Sequence, residues 1–325
     1  MKTLLQLALA LGLAGCGPAG TEGADASEPR APVTDAQRSC PDRSERGCGM
    51  LRVDGSLEPF GMGHVGDPGD PNLVEDDVYV TGDLYVDTHE VTVARFRRFI
   101  AEVDVTIDDR TMVELSGGRQ VDGSSIGFPR ALALEPPLAE AMGGTWTEAP
   151  GPRESHPIMG VDFFSAMTFC YWDSGGRGRL PTEAEHEYLV RHRAAPGLAP
   201  ARAFAWGDEL VAGCDRAQVA ACAGEDGAPT LPVGSFAPSG GLFDLTGSVE
   251  EWALDNFNPY HPPGCWADRV LEDPVCASGD AWWKPTRAGS YASDYYGGWR
   301  RTSRDRNAQE ATVGFRCVRT IPRES

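Results

Sequence analysis

Gly160–His192, GVDFFSAMTFCYWDSGGRGRLPTEAEHEYLVRH, is the stretch on which the fold turns. Asp162 stands ahead of a run whose apolar residues Ala166, Phe169, Cys170 and Trp172 recur at helical spacing. An Asp there can accept a free amide of the first turn, so a helix is predicted to open at that point. A second helix is predicted after Pro181. The Thr182 hydroxyl can take the Glu185 amide while the Glu185 carboxylate reaches back, which is a capping box. Glu183 and Glu185 are therefore read as architectural, not as an acid/base pair. His186, on the same helix, is expected at the surface rather than at a metal.

Moving toward the N-terminus, Val78–Val103 reads as strand then helix. Val78, Val80, Leu84 and Val86 have strand character. Thr92 can cap a helix with Phe96, Phe99, Ile100 and Val103 on one face, and these side chains are read as core. Leu51, Val53, Phe60 and Met62 suit a half-buried strand within Met50–Gly63. His64–Asp77 is acidic and rich in Pro and Gly, a loop. Asp104–Ser155 has no sustained period; a loop of that length is often functional, and its role is not legible. Pro259–Lys284 is an insertion carrying the Trp282–Trp283 pair.

The chain begins MKTLLQLALALGLAGC, a short export signal whose apolar run Leu4–Leu13 is too short to span a bilayer. Leu13-Ala14-Gly15-Cys16 resembles the bacterial lipobox, which implies cleavage before Cys16 and its lipidation; an ordinary secretory signal is the alternative. Acyl chains on Cys16 would anchor the protein to a membrane without a spanning helix. Gly17–Ser39 has one large apolar residue, a Val, and is expected to be a tether with a reach of ~25–30 Å. One folded domain is expected over 40–325. The expected place is the bacterial cell envelope, lipid-anchored and exported, on the periplasmic or the surface side.

A net charge of -19 argues against a nucleic-acid partner, which needs clustered Lys and Arg, and is compatible with oxygen-ligand cation sites. Of nine cysteines, Cys16 belongs to the lipobox and eight remain, an even number in an exported chain. Cys40 and Cys48, Cys214 and Cys222, and Cys265 and Cys276 lie close in sequence; Cys170 and Cys317 are the remaining two.

The last landmark is Arg287–Arg319, RAGSYASDYYGGWRRTSRDRNAQEATVGFRCVR, with a Gly-Ser-aromatic start, an Arg-rich middle and a Gly-Phe-Arg-Cys end. Together with Glu90-Val91-Thr92, RLPTEAE at 179–185, FAWGDE at 204–209 and GLFDLTGSVEEW at 241–252, it resembles the sulfatase-modifying-factor family. The founding member is the formylglycine-generating enzyme. The resemblance runs from Met50 to Arg319. It implies an α/β fold, more strictly α+β and loop-rich, of the large C-type-lectin-like kind, with a disulfide joining Cys170 and Cys317. It also implies a structural calcium held by the side chains of Asp244 and Glu251 and the carbonyls of Gly247 and Val249, an ion-free turn being the alternative. Ser248, Glu250 and His186 depart from the usual Asn, Trp and Trp. A second calcium loop would use Asp215, Arg216, Asp226 and Ala228, residues that equally suit a plain acidic loop.

In the founding enzyme two cysteines bind copper and oxidise a substrate cysteine. The matching positions here are Ser293 and Gly298. Thiolate is the soft ligand that selects Cu(I), so copper is not expected. The implied protein is a pseudoenzyme, a binding or interaction module. Its groove would be built from Ser290, Tyr291, Tyr295, Trp299, Arg300 and Arg304, with Trp282, Trp283, Tyr296 and Arg301 nearby, and would suit a peptide or a glycan. Part of this aromatic set is expected to be core. The alternatives are a formylglycine-generating oxidase and an iron-dependent oxygenase. Relatives of the second kind recruit iron through His in an added helical domain, and the six His of this chain are scattered.

Overall fold

A computed structural model describes residues 34–56, 58–63, 73–131, 134–192, 202–209, 214–220, 222, 230–260, 264–266, 270–293 and 297–322. The export signal, Cys16, residues 17–33 of the expected tether, Asp226, Ala228, Tyr295 and Tyr296 lie outside these.

In chain order the strands and helices are β1 (Met50–Val53), β2 (Phe60–Gly63), β3 (Leu73–Tyr79), β4 (Leu84–Asp87), α1 (Val93–Glu102), β5 (Met112–Glu114), β6 (Gln120–Asp122) and α2 (Phe163–Asp173). There follow β7 (Gly178–Arg179), α3 (Glu183–Glu187), β8 (Glu250–Trp252), β9 (Leu271–Glu272), β10 (Trp283–Arg287), β11 (Arg301–Asp305), β12 (Val313–Gly314) and β13 (Val318–Thr320). One four-stranded sheet has the order β1-β4-β13-β7 and another β11-β10-β8-β12; β2-β3-β9 and the β5-β6 hairpin complete the described sheets. This is the expected mixed, loop-rich α/β architecture with few helices. No described helix is long and apolar enough to cross a membrane.

The predicted caps form. The Thr92 hydroxyl accepts from the Arg95 amide, Asp162 accepts from the Ser165 amide, and Thr182 and Glu185 close the full capping box. Helix α2 is buried on almost every side, as a helix at the centre of a core must be. Phe169 packs against Phe96 at 5.8 Å, Phe99 at 5.5 Å and Phe315 at 5.4 Å between ring centroids. Each buried Phe contributes about 1.5–3 kcal/mol.

Four disulfides join Cys40 to Cys48, Cys170 to Cys317, Cys214 to Cys222 and Cys265 to Cys276. The Cys170–Cys317 bond closes a separation of 147 residues and ties α2 to the chain just before β13.

Several expectations need correction. The tether stops short of Ser39, because Asp173 at the end of α2 captures the amides of Arg38 (2.8 Å) and Ser39 (2.7 Å), and Ser39 is buried. Met50–Gly63 is two strands in two sheets, not one. Strand β3 begins at Leu73, inside the expected loop, and the 104–155 segment contains the β5-β6 hairpin. Ile100 is 39% exposed, on the flank of the α1 stripe formed by Phe96 and Phe99. His186 is wholly buried, because α3 itself is enclosed and even its glutamates have no exposure above 1%.

Candidate functional site

After β10 the chain turns through two left-handed residues, Ala288 (φ 77) and Gly289 (φ 72). This brings Ser290 and Ser293 together, with their hydroxyl oxygens 3.2 Å apart. The Ser290 amide donates to Ser293 Oγ at 3.0 Å, and the Ser293 amide donates to the Ser290 carbonyl at 2.9 Å. The Tyr291 amide donates to the Ser248 carbonyl at 2.8 Å, which ties this turn to the 241–252 loop. Both serines are buried and engage their hydroxyls within the turn itself.

Gly298 sits where there is no room for a side chain. A Cβ there would lie 2.6 Å from Val190 Cγ1 and 2.7 Å from Arg191 Cγ. Its carbonyl accepts from Arg287 Nη2 at 3.0 Å. Arg287 belongs to a buried charge network. It donates to Glu183 at 3.1 Å, to Glu187 at 2.5 Å and to the Tyr260 hydroxyl at 3.0 Å. Glu187 also accepts from Arg191, and Glu183 from Arg301 at 2.5 Å. Burial alone would lower the Arg287 pKa; Tyr260, Glu187 and Glu183 outweigh it and raise it. Such a network is worth little when whole and much when one member is removed, because the remaining charge is left buried.

Of the other groove candidates, Trp299 lies 6.2 Å from Phe204 and 5.7 Å from the Arg191 guanidinium. Tyr291 donates its hydroxyl to the Ala311 carbonyl at 3.3 Å. Arg300 is half-buried. Arg304 is held by Glu250 at 2.9 Å and Glu310 at 2.6 Å, so its charge is already paired. Trp282 and Trp283 are exposed, and Trp282 donates Nε1–H to Asp305 at 2.9 Å.

The 241–252 loop passes through four left-handed residues, Gly241, Asp244, Gly247 and Ser248. Both Glu251 oxygens accept from Arg316 Nε at 2.8 Å, and His186 Nε2 stands 3.3 Å away. Burial pushes the Glu251 carboxyl up, but the Arg316 guanidinium outweighs it and holds it at about 2. Burial lowers the His186 pKa, so the imidazole is neutral, and neither ring nitrogen has an aligned hydrogen-bond partner among the described residues. Asp244 accepts from the Gly234 amide at 2.5 Å, and burial raises its pKa. Arg316 also donates to the carbonyls of Phe243 (3.0 Å) and Asp244 (3.3 Å).

A third carboxylate, Glu90, accepts from Ser248 Oγ at 3.0 Å and the Val249 amide at 3.3 Å. Burial, then Asp244 and Glu251, push its pKa well above the usual range. The sequence gives Glu90 only as part of the Glu90-Val91-Thr92 landmark ahead of α1 and assigns it no place in this site. Ionised, the buried Glu90 and Glu251 and the half-buried Asp244 would face one guanidinium, leaving an excess of negative charge. That oxygen-rich excess is the chemistry that fits a hard divalent cation such as calcium, with carbonyls completing the shell. Among the described residues no three His, Cys, Asp or Glu side chains alone converge on a metal position. Asp215 and Arg216 of the second predicted loop are exposed, and the other two members of that set lie outside the described residues.

Copper is a different case. Every described cysteine is in a disulfide, and a serine turn and a filled glycine stand at the two positions. These donors do not fit Cu(I).

Residues 41–321 match the sulfatase-modifying factor enzyme 1-like domain. The chain belongs to the sulfatase-modifying factor family. It is 32% identical over 310 residues to the formylglycine-generating enzyme of Streptomyces coelicolor, covering 85% of this chain and 90% of that enzyme. It is 33% identical over 131 residues, 35% of this chain and 39% of the relative, to the inactive C-alpha-formylglycine-generating enzyme 2 of Mus musculus. In structure this family member is similar to PvdO from Pseudomonas aeruginosa, with a TM-score of 0.57 at 20% identity over 90% of this chain and all of that one. That likeness speaks to the fold.

Proposed function

We propose that this chain is a lipid-anchored envelope protein whose sulfatase-modifying-factor domain binds a ligand without oxidising it. The observation that carries the reading is at Gly298. Where the family places its second reactive cysteine there is a backbone position, and Val190 and Arg191 fill the space beside it. Ser293 at the first position is committed to its own turn. A serine hydroxyl is a poor ligand for Cu(I) and far from ionised at neutral pH, so neither copper binding nor thiolate chemistry has a group to use. That a relative in mouse carries the name of an inactive enzyme is consistent with members that keep the scaffold without the reaction.

On this reading the groove beside Trp299, Tyr291 and Arg300 takes a peptide or glycan segment. A calcium ion held by Asp244 and Glu251, with the Gly247 and Val249 carbonyls, keeps the 241–252 loop in shape. Its role is structural, offsetting the buried carboxylate charge that includes Glu90. Cys16 carries the lipid and holds the domain at the envelope membrane.

The relatives named formylglycine-generating enzyme supply the competing reading, an oxidase converting a protein cysteine to formylglycine. Oxygen consumption by the purified protein with Cu(I) and a cysteine-containing peptide separates the two. No uptake above the peptide blank and no stoichiometric copper are expected. One copper per chain together with aldehyde in the peptide would overturn the proposal. Cys16→Ser is expected to move the protein from the detergent phase to the aqueous phase.

A further inference from the structure

The chain has two lysines, Lys2 in the export signal and Lys284; every other basic side chain of this kind is an arginine. Lys284 lies on β10 and is wholly buried. Its amine reaches three oxygens: Asn256 Oδ1 at 2.8 Å, the Ile126 carbonyl at 2.8 Å and the Leu254 carbonyl at 3.2 Å. We propose that Lys284 and Asn256 join in an intramolecular isopeptide bond, in which Lys284 Nζ replaces Nδ2 on Asn256 Cγ and ammonia leaves. The bond does not depend on what the groove or the calcium loop binds.

Both partners are held in place. Lys284 pairs with Arg304 across β10 and β11. Asn256 is buried, its backbone amide donates to the Cys276 carbonyl at 2.7 Å, and its Nδ2 donates to the Ser125 carbonyl at 3.1 Å. That last bond leaves Oδ1 facing Lys284 and holds the leaving nitrogen by its own hydrogen. An ammonium has three N–H groups and fills all three contacts. Once a proton is lost, two N–H groups can stay on the Ile126 and Leu254 carbonyls. The lone pair then points where the third N–H pointed, at the Asn256 amide. The amide C=O bond is about 1.2 Å long, so Asn256 Cγ lies no more than about 4 Å from Nζ. Holding nucleophile and carbonyl at this range replaces an encounter by an intramolecular step.

The surroundings activate the amine. A guanidinium does not lose its proton in a protein, whereas a desolvated lysine does, so the choice of Lys here is chemically specific. The Phe163 ring lies 4.3 Å from Nζ and gives the site an apolar wall. Burial lowers the Lys284 pKa to about 7 against the pull of Asp255, with Arg306 adding to the effect. Asp255 is wholly buried and accepts the amides of Glu183 at 2.8 Å and Cys276 at 2.7 Å. Burial, then Glu183, pushes its carboxyl up to about 7. It can therefore take the ammonium proton and return it to the departing nitrogen. The step balances without oxidant or cofactor: the Nζ–Cγ bond forms, the Cγ–Nδ2 bond breaks, and an ammonium side chain plus a primary amide become a secondary amide plus an ammonium ion. The product would tie β10 to the chain that follows β8, across the base of the Pro259–Lys284 insertion that the Cys265–Cys276 disulfide also closes. Unlike that disulfide, it would survive a reductant.

The test is peptide mass mapping of the full-length protein, purified in detergent, reduced, alkylated and cut with trypsin. Reduction is needed because Cys265 and Cys276 link the same two tryptic peptides, 217–269 and 270–287. From the parent protein these peptides are expected to stay joined after reduction. The joined species should be lighter than their sum by one ammonia, with fragment ions placing the link at Asn256 and Lys284. Asn256→Ala and Lys284→Met are each expected to release two separate peptides. The parent alone decides the matter, whether or not the variants fold. Two separate peptides of unaltered mass from the parent, or a link placed at other residues, would overturn the proposal.

Discussion

A Cβ at Gly298 would press on Val190 and Arg191 at under 2.8 Å. Overpacking of this kind costs about 1–3 kcal/mol. Gly298→Cys is therefore expected to lower the unfolding midpoint in urea while leaving Cu(I) affinity unchanged, since no second thiol stands at Ser293. A copper titration alongside the urea curve checks both, and tight copper uptake by a fully stable variant would refute the reading. His89 makes a second residue-scale case. Its ring stacks on Phe243 at 4.4 Å, and burial, reinforced by Arg316 and Arg95, lowers its pKa to about 4. The unfolded chain then binds a proton between about pH 6.5 and pH 4 that the folded chain refuses, so this residue removes stability as pH falls through that window. His89→Phe keeps the stacking and should be relatively more stable at pH 4.5 than at pH 7, by about 2 kcal/mol; an unchanged difference between the two pH values would contradict this. Ser293 and Gly298 could be read from sequence because each stands at a fixed offset within one contiguous motif. Glu90 and the burial of His186 could not, because their partners Ser248 and Glu251 arrive from far along the chain.

At the scale of elements, α3 shows why local signals locate a helix but not its surroundings. Pro181, Thr182 and Glu185 mark its start, and the capping box forms as the residues require. Nothing local says that Glu183, Glu185 and Glu187 will all be buried, since glutamates on a short helix ordinarily face water. Their partners Arg179, Arg287 and Arg301 come from three different strands. Glu187→Gln would leave Arg287 and Arg191 short of a buried counter-charge, and a loss of about 3–5 kcal/mol is expected from chemical denaturation. A variant as stable as the parent would mean that water reaches this network. The 241–252 loop carries the other element-scale prediction. If calcium offsets its carboxylates, EGTA should lower stability by about 2.7 kcal/mol relative to calcium at a hundred times its Kd. Glu90→Gln should shrink that difference, because it removes part of the charge the ion offsets. A melting curve indifferent to EGTA in both proteins would remove calcium from the account. The same limit explains Met50–Gly63: its alternation is legible, but not that β1 and β2 join different sheets.

Across the whole molecule, short strands and long connections leave few continuous elements to hold the domain, and covalent links join what the sheets do not. The Cys170–Cys317 bond is the one that connects α2 to the sheet through the C-terminal strand, and it shares the aromatic core with Phe169 and Phe315. The three local bonds close separations of only 8 or 11 residues. In the chain-entropy picture the long link contributes about 5 kcal/mol and each short one about 2–3. Both sulfurs of the long link are also buried, so reductant should reach them only after partial opening. Replacing Cys170 and Cys317 together by Ala should therefore destabilise the domain more than replacing Cys265 and Cys276, in urea unfolding of otherwise identical proteins. The two double variants should differ by about 2 kcal/mol or more, with the first adding the cavity left in the aromatic core. Equal midpoints would mean that the sheet and core hold α2 in place without the bond, and that the staples serve their own loops rather than the fold.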